Sequence, residues 1–453
     1  MLIIMNGILK IILRGLTMQN EIKNQILGLV KEYFDQVDNF KLDPERDRVT
    51  VGFPCYDHRE IERAVECLLD LRLSQGPRVK EFEEKYSEYI GQDFGVAVNS
   101  GSSANLIALA ALVRSGLVKK GSEVIIPATT FTTVVSPIIQ NGLVPAFVDI
   151  DRDTYNMNID EVEKAINFNT GLLMPVHTLG LPVDMDGIMS LSKKYDLPVF
   201  EDCCEAHGAA IYGKKVGSFG VISTYSFFVA HNMTTGEGGI VLTSDEILND
   251  LLFQLREFGR LKKYDSNQQR FYYNNGELTG YDERYAFEVL GYNLRMTDVC
   301  ASLGLPQLEK LDDLNEGRNA IANYYTEHLM KYSEFLELPR IPEDYFHCFY
   351  GYPITLKEDC GFKRNTLVNY LEENGIDTRA IMGGNLSIQP AYRDENIKVQ
   401  GTLENANYIT GNSFFIGCHI FINERMRKHV VSIFNKFFSQ LKDENKNTIS
   451  TSK

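Results

Sequence analysis

The stretch Ser226–Gly239, SFFVAHNMTTGEGG, joins three features: a serine with two phenylalanines, a lone histidine, and a turn holding three glycines. Glycines at this density allow positive φ and close approach of backbone to a bound group. The runs on either side, VISTYSF and GGIVLTS, are short and apolar, which predicts two neighbouring strands joined by this loop. Loops at strand ends are where α/β proteins bind their ligands. A histidine there is either a buried, hydrogen-bonded ring or a group that moves protons near neutral pH.

Upstream of the loop, helical and apolar strand-like segments alternate. KEFEEKYSEYIG, SGSSANLIALAALVRSG, DEVEKAI and GIMSLSKKY carry helical periodicity; FGVAVNS, EVIIPA, PAFVDI, GLLMPVH and LPVFEDC read as strands. Apolar strands spaced by helices predict an α/β fold with a mainly parallel central sheet covered on both faces. After about residue 300 the texture changes. LEKLDDLNEGRNAIANYYTEHLMKY reads as one long helix, and GYPITL, IDTRAI and ERMRKHVVSIFNKFFSQL predict a smaller C-terminal α/β domain. The expected division is an N-terminal extension and helix over 1–40, a large domain over 41–305, a small domain over 306–440 and a disordered tail over 441–453.

Four elements converge where strands end. Ser100-Gly101-Ser102-Ser103 opens a helix whose free N–H groups suit a phosphate, although a serine N-cap has the same sequence. Glu201-Asp202 closes an apolar strand, where a carboxylate can hold a cationic ring nitrogen or simply cap a loop. Phe131 follows the strand EVII, and its ring can stack on a planar ligand or fill the core. His231, with Ser226 and Gly236 to Gly239, is the fourth.

The order and spacing of these elements resemble the DegT/DnrJ/EryC1/StrS sugar aminotransferase family, pyridoxal-phosphate enzymes of fold type I. That family places a strand-ending ED about thirty residues before a lysine in an SFF…K…TTGEGG loop; here His231 stands 29 positions after Asp202. Leu290–Leu311, LGYNLRMTDVCASLGLPQLEKL, is similar to the family's GYN-R-TD…QLEKL signature, and the likeness runs from about residue 50 to 438. The resemblance implies that Gly101, Ser102 and Ser226 hold the cofactor phosphate. It further implies that Phe131 stacks on the pyridine and Asp202 pairs with its nitrogen. Glu205 stands where the family has a glutamine near the ring oxygen. Asn293 would reach a neighbouring subunit's phosphate, which implies a homodimer with shared sites.

Lysine would bond the cofactor aldehyde covalently, and imidazole cannot. The form that suits His231 is pyridoxamine 5'-phosphate, which brings its own amine, with His231 as base. Histidine for lysine marks the sugar 3-dehydratases of the family, which remove the C3 hydroxyl of a nucleotide-diphosphate 4-keto-6-deoxy hexose. One branch, on CDP-sugars, adds an iron–sulfur cluster; another, on GDP-sugars, renews its amine from glutamate. EDCCEAHG and GYDERYAFEVLGYNLRMTD resemble the CDP branch, yet the run after Gly259-Arg260, LKKYDSNQQRFYYNNGELTG, contains no cysteine. The CDP branch has a CxC pair just after its Gly-Arg; Lys262 and Tyr264 occupy those places here, and Cys204 alone is not a cluster site, which needs about four thiolates. No metal or cluster is therefore expected. An aminotransferase, or a non-enzymatic sugar-nucleotide or cofactor-binding protein, stand as alternatives.

Bulk properties fit this reading. The chain has 453 residues and a formal net charge of −15, which disfavours nucleic acid and anionic membranes as partners. Eight cysteines without a CxxC pair read as reduced thiols in a cytoplasmic protein. No apolar run reaches the ~20 residues of a membrane span. The apolar start, MLIIMNGILKIILRGLT, has Lys10 and Arg14 in or after its apolar part, and reads as an extension ahead of a functional start at Met18.

Overall fold

The computed structural model describes residues 2–36, 43–260 and 285–451, with side chains from 18 to 36, 43 to 260 and 285 to 443. The strands of the first half, in chain order, are β1 (Phe94–Val98), β2 (Glu123–Pro127), β3 (Val144–Val148), β4 (Thr170–Leu173) and β5 (Phe200–Asp202). A two-residue pair follows, β6 (Ala210–Ile211) and β7 (Lys214–Lys215), then β8 (Ile222–Ser226) and β9 (Gly239–Thr243). β3, β2 and β4 are parallel, bridges Leu173 to Val199 and Val176 to Asp202 continue the parallel run to β5, and β5 pairs parallel with β8. Among the described residues of the large sheet, only β9 runs against its neighbours, β8 and β1. The expected mainly parallel sheet is present, and the two strands around the histidine loop are adjacent. β2, β3, β8 and β9 are buried along their whole length, as expected where helices cover both faces. Helices Gly101–Ser115 and Glu246–Arg256 pack on one side, and Ile159–Ala165 with Met185–Tyr195 on the other.

The C-terminal part is built on a second sheet. Its strands are β10 (Leu336–Glu337), β12 (Tyr352–Leu356), β13 (Thr378–Arg379) and β15 (Ser413–Ile416), in the order β10-β12-β15-β13 and antiparallel throughout. β11 (Tyr345–Phe346) instead pairs with β6, and β14 (Lys398–Val399) adds to β3 of the large sheet. The two sheets are thus stitched together by strands, not by a free linker. The boundary expected at residue 41 also differs in detail. Val49 bridges Ile376 and lies in the small-domain core, so the chain passes through that domain before entering the large one.

Three further features have local causes. The long helix expected from Leu308 is two helices, Asp298–Glu309 and Leu311–Leu329, meeting at Lys310 (φ −115°, ψ 11°). Lys310 itself pairs with Asp57 and with buried Glu60, which fixes the bend. Glu424–Thr451 is a continuous helix through most of the stretch expected to be a disordered tail; the segment holds no glycine or proline to stop it. The N-terminal extension is helical over Leu2–Gln36, and Lys23 ties it to Glu66 and Asp70 of the helix His58–Leu69 and its C-cap. Among the described residues no helix is long and apolar enough to cross a membrane.

Candidate active site

Glu201 and Asp202 are neighbours on β5, so the period of two sends their side chains to opposite faces. Glu201 faces a turn. Its Oε1 accepts the N–H groups of Phe219 (2.8 Å) and Gly220 (2.7 Å), and Oε2 accepts that of Gly217 (2.7 Å). His177 lies 3.3 Å from Oε2 through Nε2, and its Nδ1 accepts the Val183 N–H (3.0 Å). His177, Glu201 and Cys203 are close enough to hold a metal ion, yet both His177 nitrogens and both Glu201 oxygens are already committed to these hydrogen bonds. Asp202 faces the other way, toward the helix Gly101–Ser115. Its Oδ1 accepts the Cys204 N–H (3.0 Å) and its Oδ2 an amide hydrogen of Asn105 (2.7 Å).

The first turn of that helix lies against β8. Ser100 is the N-cap, its Oγ accepting the Ser103 N–H (3.1 Å), which leaves the N–H groups of Gly101 and Ser102 without a partner among the described residues. Ser226 closes β8 beside them. A Cβ on Gly101 would come within 2.5 Å of the Ser226 Cβ, and one on Gly239 within 2.4 Å of the Ser100 carbonyl oxygen. Glycine at both positions therefore lets the helix end and the strand end meet. The result is a pair of free N–H groups, the positive end of a helix and a hydroxyl, which together suit a phosphate. Phe131 is the N-cap of Thr132–Gln140, with half its surface (51%) exposed despite its size. Fixed carboxylate, phosphate cradle and exposed ring face fit a pyridoxal-type cofactor.

His231 sits in the loop between β8 and β9. Its N–H donates to the Phe228 carbonyl (3.0 Å), and its ring packs beside Tyr350 (centroids 5.2 Å apart), His207 (5.8 Å) and Phe228 (6.4 Å). The residue is half-buried, but Nδ1 is enclosed and has no hydrogen-bond partner among the described residues, so Nε2 is the nitrogen free to work. Loss of solvent, with His207 and Arg318 nearby, holds its basicity well below the ordinary histidine value. The loop is held from both ends by His207, which lies in EDCCEAHG behind the acidic pair. His207 Nε2 donates to the Ser226 carbonyl (2.8 Å), and Nδ1 accepts from Tyr86 (2.7 Å). The His207 carbonyl takes an amide hydrogen of Asn315 (2.7 Å), whose Oδ1 accepts from Asn232, next to His231 (2.8 Å). Burial keeps His207 neutral, its value pushed down to about 4.

Glu205 is buried beside Asp202 and accepts the Leu179 N–H at Oε2 (2.7 Å). Burial pushes its carboxyl up to about 8; the Leu179 N–H opposes the rise and the Asp202 charge adds to it. Near pH 7 it is a neutral acid, and so resembles the glutamine for which it stands. The folded state holds this proton from the unfolded value of about 4.3 up to about 8. The unfolded chain binds fewer protons over that window, so stability falls as pH rises through it and levels off above. Glu205→Gln is expected to remove that slope. Thermal melts of cofactor-free protein should show the variant gaining on the parent between pH 5 and 8, by ~1.4 kcal/mol for each step of one in pH.

The structure brings Gly101, Ser102, Phe131, Asp202, Glu205, Ser226 and His231 to one end of the large sheet. Asn293 stands apart. It is exposed, accepts a hydrogen bond from Arg295 (3.1 Å) and bridges Glu257. Gly383 to Asn385 brace the loop before Phe131. The Gly383 N–H donates to Thr130 and the buried Asn385 side chain to Asn407. All eight cysteines are free; Cys204 is half-buried, and burial with Asp202 beside it pushes its thiol well above the usual range. The cysteine-free run after Arg260 lies outside the described residues. Tyr350 reaches His231 from the small domain, and no local pattern marks it in the sequence.

Comparison with known proteins identifies the family. The sequence profile described as the DegT/DnrJ/EryC1/StrS aminotransferase family matches residues 54–435. The lipopolysaccharide biosynthesis protein RfbH of Salmonella typhimurium is 38% identical over 434 residues, 92% of this chain and 98% of its own. The solved Escherichia coli GDP-4-keto-6-deoxy-D-mannose-3-dehydratase with bound hydrated PLP superposes with a TM-score of 0.78 at 29% identity, covering 85% of this chain and 99% of that one. A GDP-4-keto-6-deoxymannose-3-dehydratase with a trapped PLP–glutamate geminal diamine gives 0.77 at 29% identity, over 84% and 99%. The protein belongs to the DegT/DnrJ/EryC1/StrS aminotransferase family, whose members are pyridoxal-phosphate-dependent enzymes of nucleotide-sugar modification.

Proposed function

We propose that this chain is a pyridoxamine-phosphate-dependent 3-dehydratase of a nucleotide-linked 4-keto-6-deoxy hexose, working without an iron–sulfur cluster. The observation that carries the reading is His231 in the place of the family's lysine. Among the described residues, the groups touching Asp202, Glu205, Ser226 and His231 include no lysine. When bound, pyridoxamine phosphate supplies an amine that joins the sugar ketone and a ring that takes up electrons. Gly101, Ser102 and Ser226 hold its phosphate, Phe131 covers a ring face, Asp202 keeps the ring nitrogen charged, and neutral Glu205 donates near the ring oxygen. His231 accepts a proton at Nε2 and returns it to the departing C3 hydroxyl, so one imidazole serves as base and then acid. The enclosed Nδ1 makes the charged ring short-lived, which favours the return.

With no cysteine run to carry electrons, glutamate is the proposed amino donor. Overall the sugar loses its C3 hydroxyl, glutamate becomes 2-oxoglutarate, and its amino group leaves as ammonium. Exposed Asn293 suits a homodimer that completes each site, and the RfbH likeness suits a cytoplasmic step of surface-polysaccharide assembly. The family's name favours a second reading, an aminotransferase. Incubation with pyridoxamine phosphate, glutamate and 4-keto-6-deoxy sugar nucleotides, followed by mass spectrometry, separates the two. A product short of one oxygen at C3 is expected, and a 4-amino sugar retaining that oxygen would sink the proposal.

A further inference from the structure

Asn105 is fully buried in the helix Gly101–Ser115 and lies in an otherwise apolar stretch, ANLIALAALV. Its amide makes three hydrogen bonds. Nδ2 donates to Asp202 Oδ2 (2.7 Å) and to the Thr133 carbonyl (3.0 Å), and Oδ1 accepts from the Thr224 hydroxyl (2.6 Å). Two of these partners can only accept, so the amide has one possible orientation, with both hydrogens spent on them and the oxygen turned to Thr224. Thr224 lies on β8 two residues before Ser226, and Thr133 lies two residues after Phe131. Asn105 itself lies one turn after Gly101 and Ser102. One side chain thus joins the four elements that carry the phosphate cradle, the ring-stacking phenylalanine and the ring-nitrogen carboxylate.

We infer that Asn105 is the positioning residue of the cofactor site, setting the angle of the Asp202 carboxylate and its distance from the phosphate cradle. The inference rests on the cofactor assignment above. Asp202 Oδ1 is held by a backbone N–H of its own loop and the Cys204 thiol lies beside the carboxylate, whereas Oδ2 takes the Asn105 amide. Without that amide the carboxylate can turn about its own axis, and the oxygen offered to the ring is no longer fixed. A misplacement of about 1 Å is enough to cost a site of this kind much of its function.

The test is Asn105→Leu, which keeps the shape of the side chain and removes its hydrogen bonds. Pyridoxamine phosphate binding is measured by fluorescence titration below the melting temperature of both proteins, with the absorption band of the bound ring followed against pH. The expected result is at least tenfold weaker binding and a shifted pH midpoint of the ring band. Unchanged affinity and ring spectrum, with only a lower melting temperature, would overturn the inference and leave Asn105 a packing residue. If Asn105→Leu does not fold, Thr224→Val decides. It leaves the buried Asn105 Oδ1 without its donor and so loosens the amide that holds Asp202, and a shifted ring band supports the inference while an unchanged one overturns it. Parent protein that takes up no pyridoxamine phosphate would overturn the cofactor assignment, an outcome distinct from a loss confined to the variants.

Discussion

His231→Gln is expected to take up pyridoxamine phosphate as the parent does and to lose turnover of the 4-keto sugar by about 10²–10⁴-fold. Glutamine fills the space of the ring and can hydrogen-bond, but it cannot accept a proton and give it back. Because the ring is held well below its ordinary value by burial and by neighbouring His207 and Arg318, His231 is already the free base at pH 7. The acid limb of kcat/KM should therefore fall well below pH 6.5 in the parent. A limb centred at or above 6.5 would mean that another group titrates. His231→Lys gives the complementary result. The lysine amine restores a covalent tether, so the cofactor should survive dialysis in the aldehyde form, and dehydration should still be lost. Equal turnover in His231→Gln and parent would remove the basis of the dehydratase reading.

The strands are readable in the sequence because each is a short apolar run bounded by turn residues, and burial on both faces demands that composition. The loop is readable because its glycines and its histidine sit at a fixed distance from Asp202. Tertiary partners of these residues are harder to see. Glu201 and Asp202 read as one acidic pair, yet the strand period sends Glu201 to build the turn at Gly217 to Gly220 and leaves Asp202 alone at the site. Tyr350 lies more than a hundred residues from the histidine it touches, and only the docking of the small domain brings them together. Asn105 does leave a signal. A single amide inside an apolar helix must find partners or destabilise the core, and the nearest strand ends are the place to look. His207 leaves a similar one in EDCCEAHG, masked by the acidic pair before it.

Asp202→Asn is expected to fold and to abolish useful turnover, by roughly two to four decades. The geometry explains why so small a change matters. Both carboxylate oxygens already accept an N–H, from Cys204 and from Asn105. An asparagine there can offer an oxygen to only one of them, and its amide hydrogens then point at the other donor. The side chain must rotate away or leave a buried donor unpaired, at a cost of about 1–3 kcal/mol. The charge that would hold the ring nitrogen protonated is lost as well, and breaking a buried charged pair costs about 3–5 kcal/mol, or roughly two to four decades of rate. The phosphate cradle at Gly101, Ser102 and Ser226 is untouched, so binding should weaken less than turnover falls. Titration with pyridoxamine phosphate, absorption spectra of the bound ring and single-turnover rates on the 4-keto sugar separate these effects. A variant that binds with a parent-like ring spectrum and turns over within tenfold of the parent would show that Asp202 does not govern the ring nitrogen, and the site would have to be placed elsewhere on the sheet.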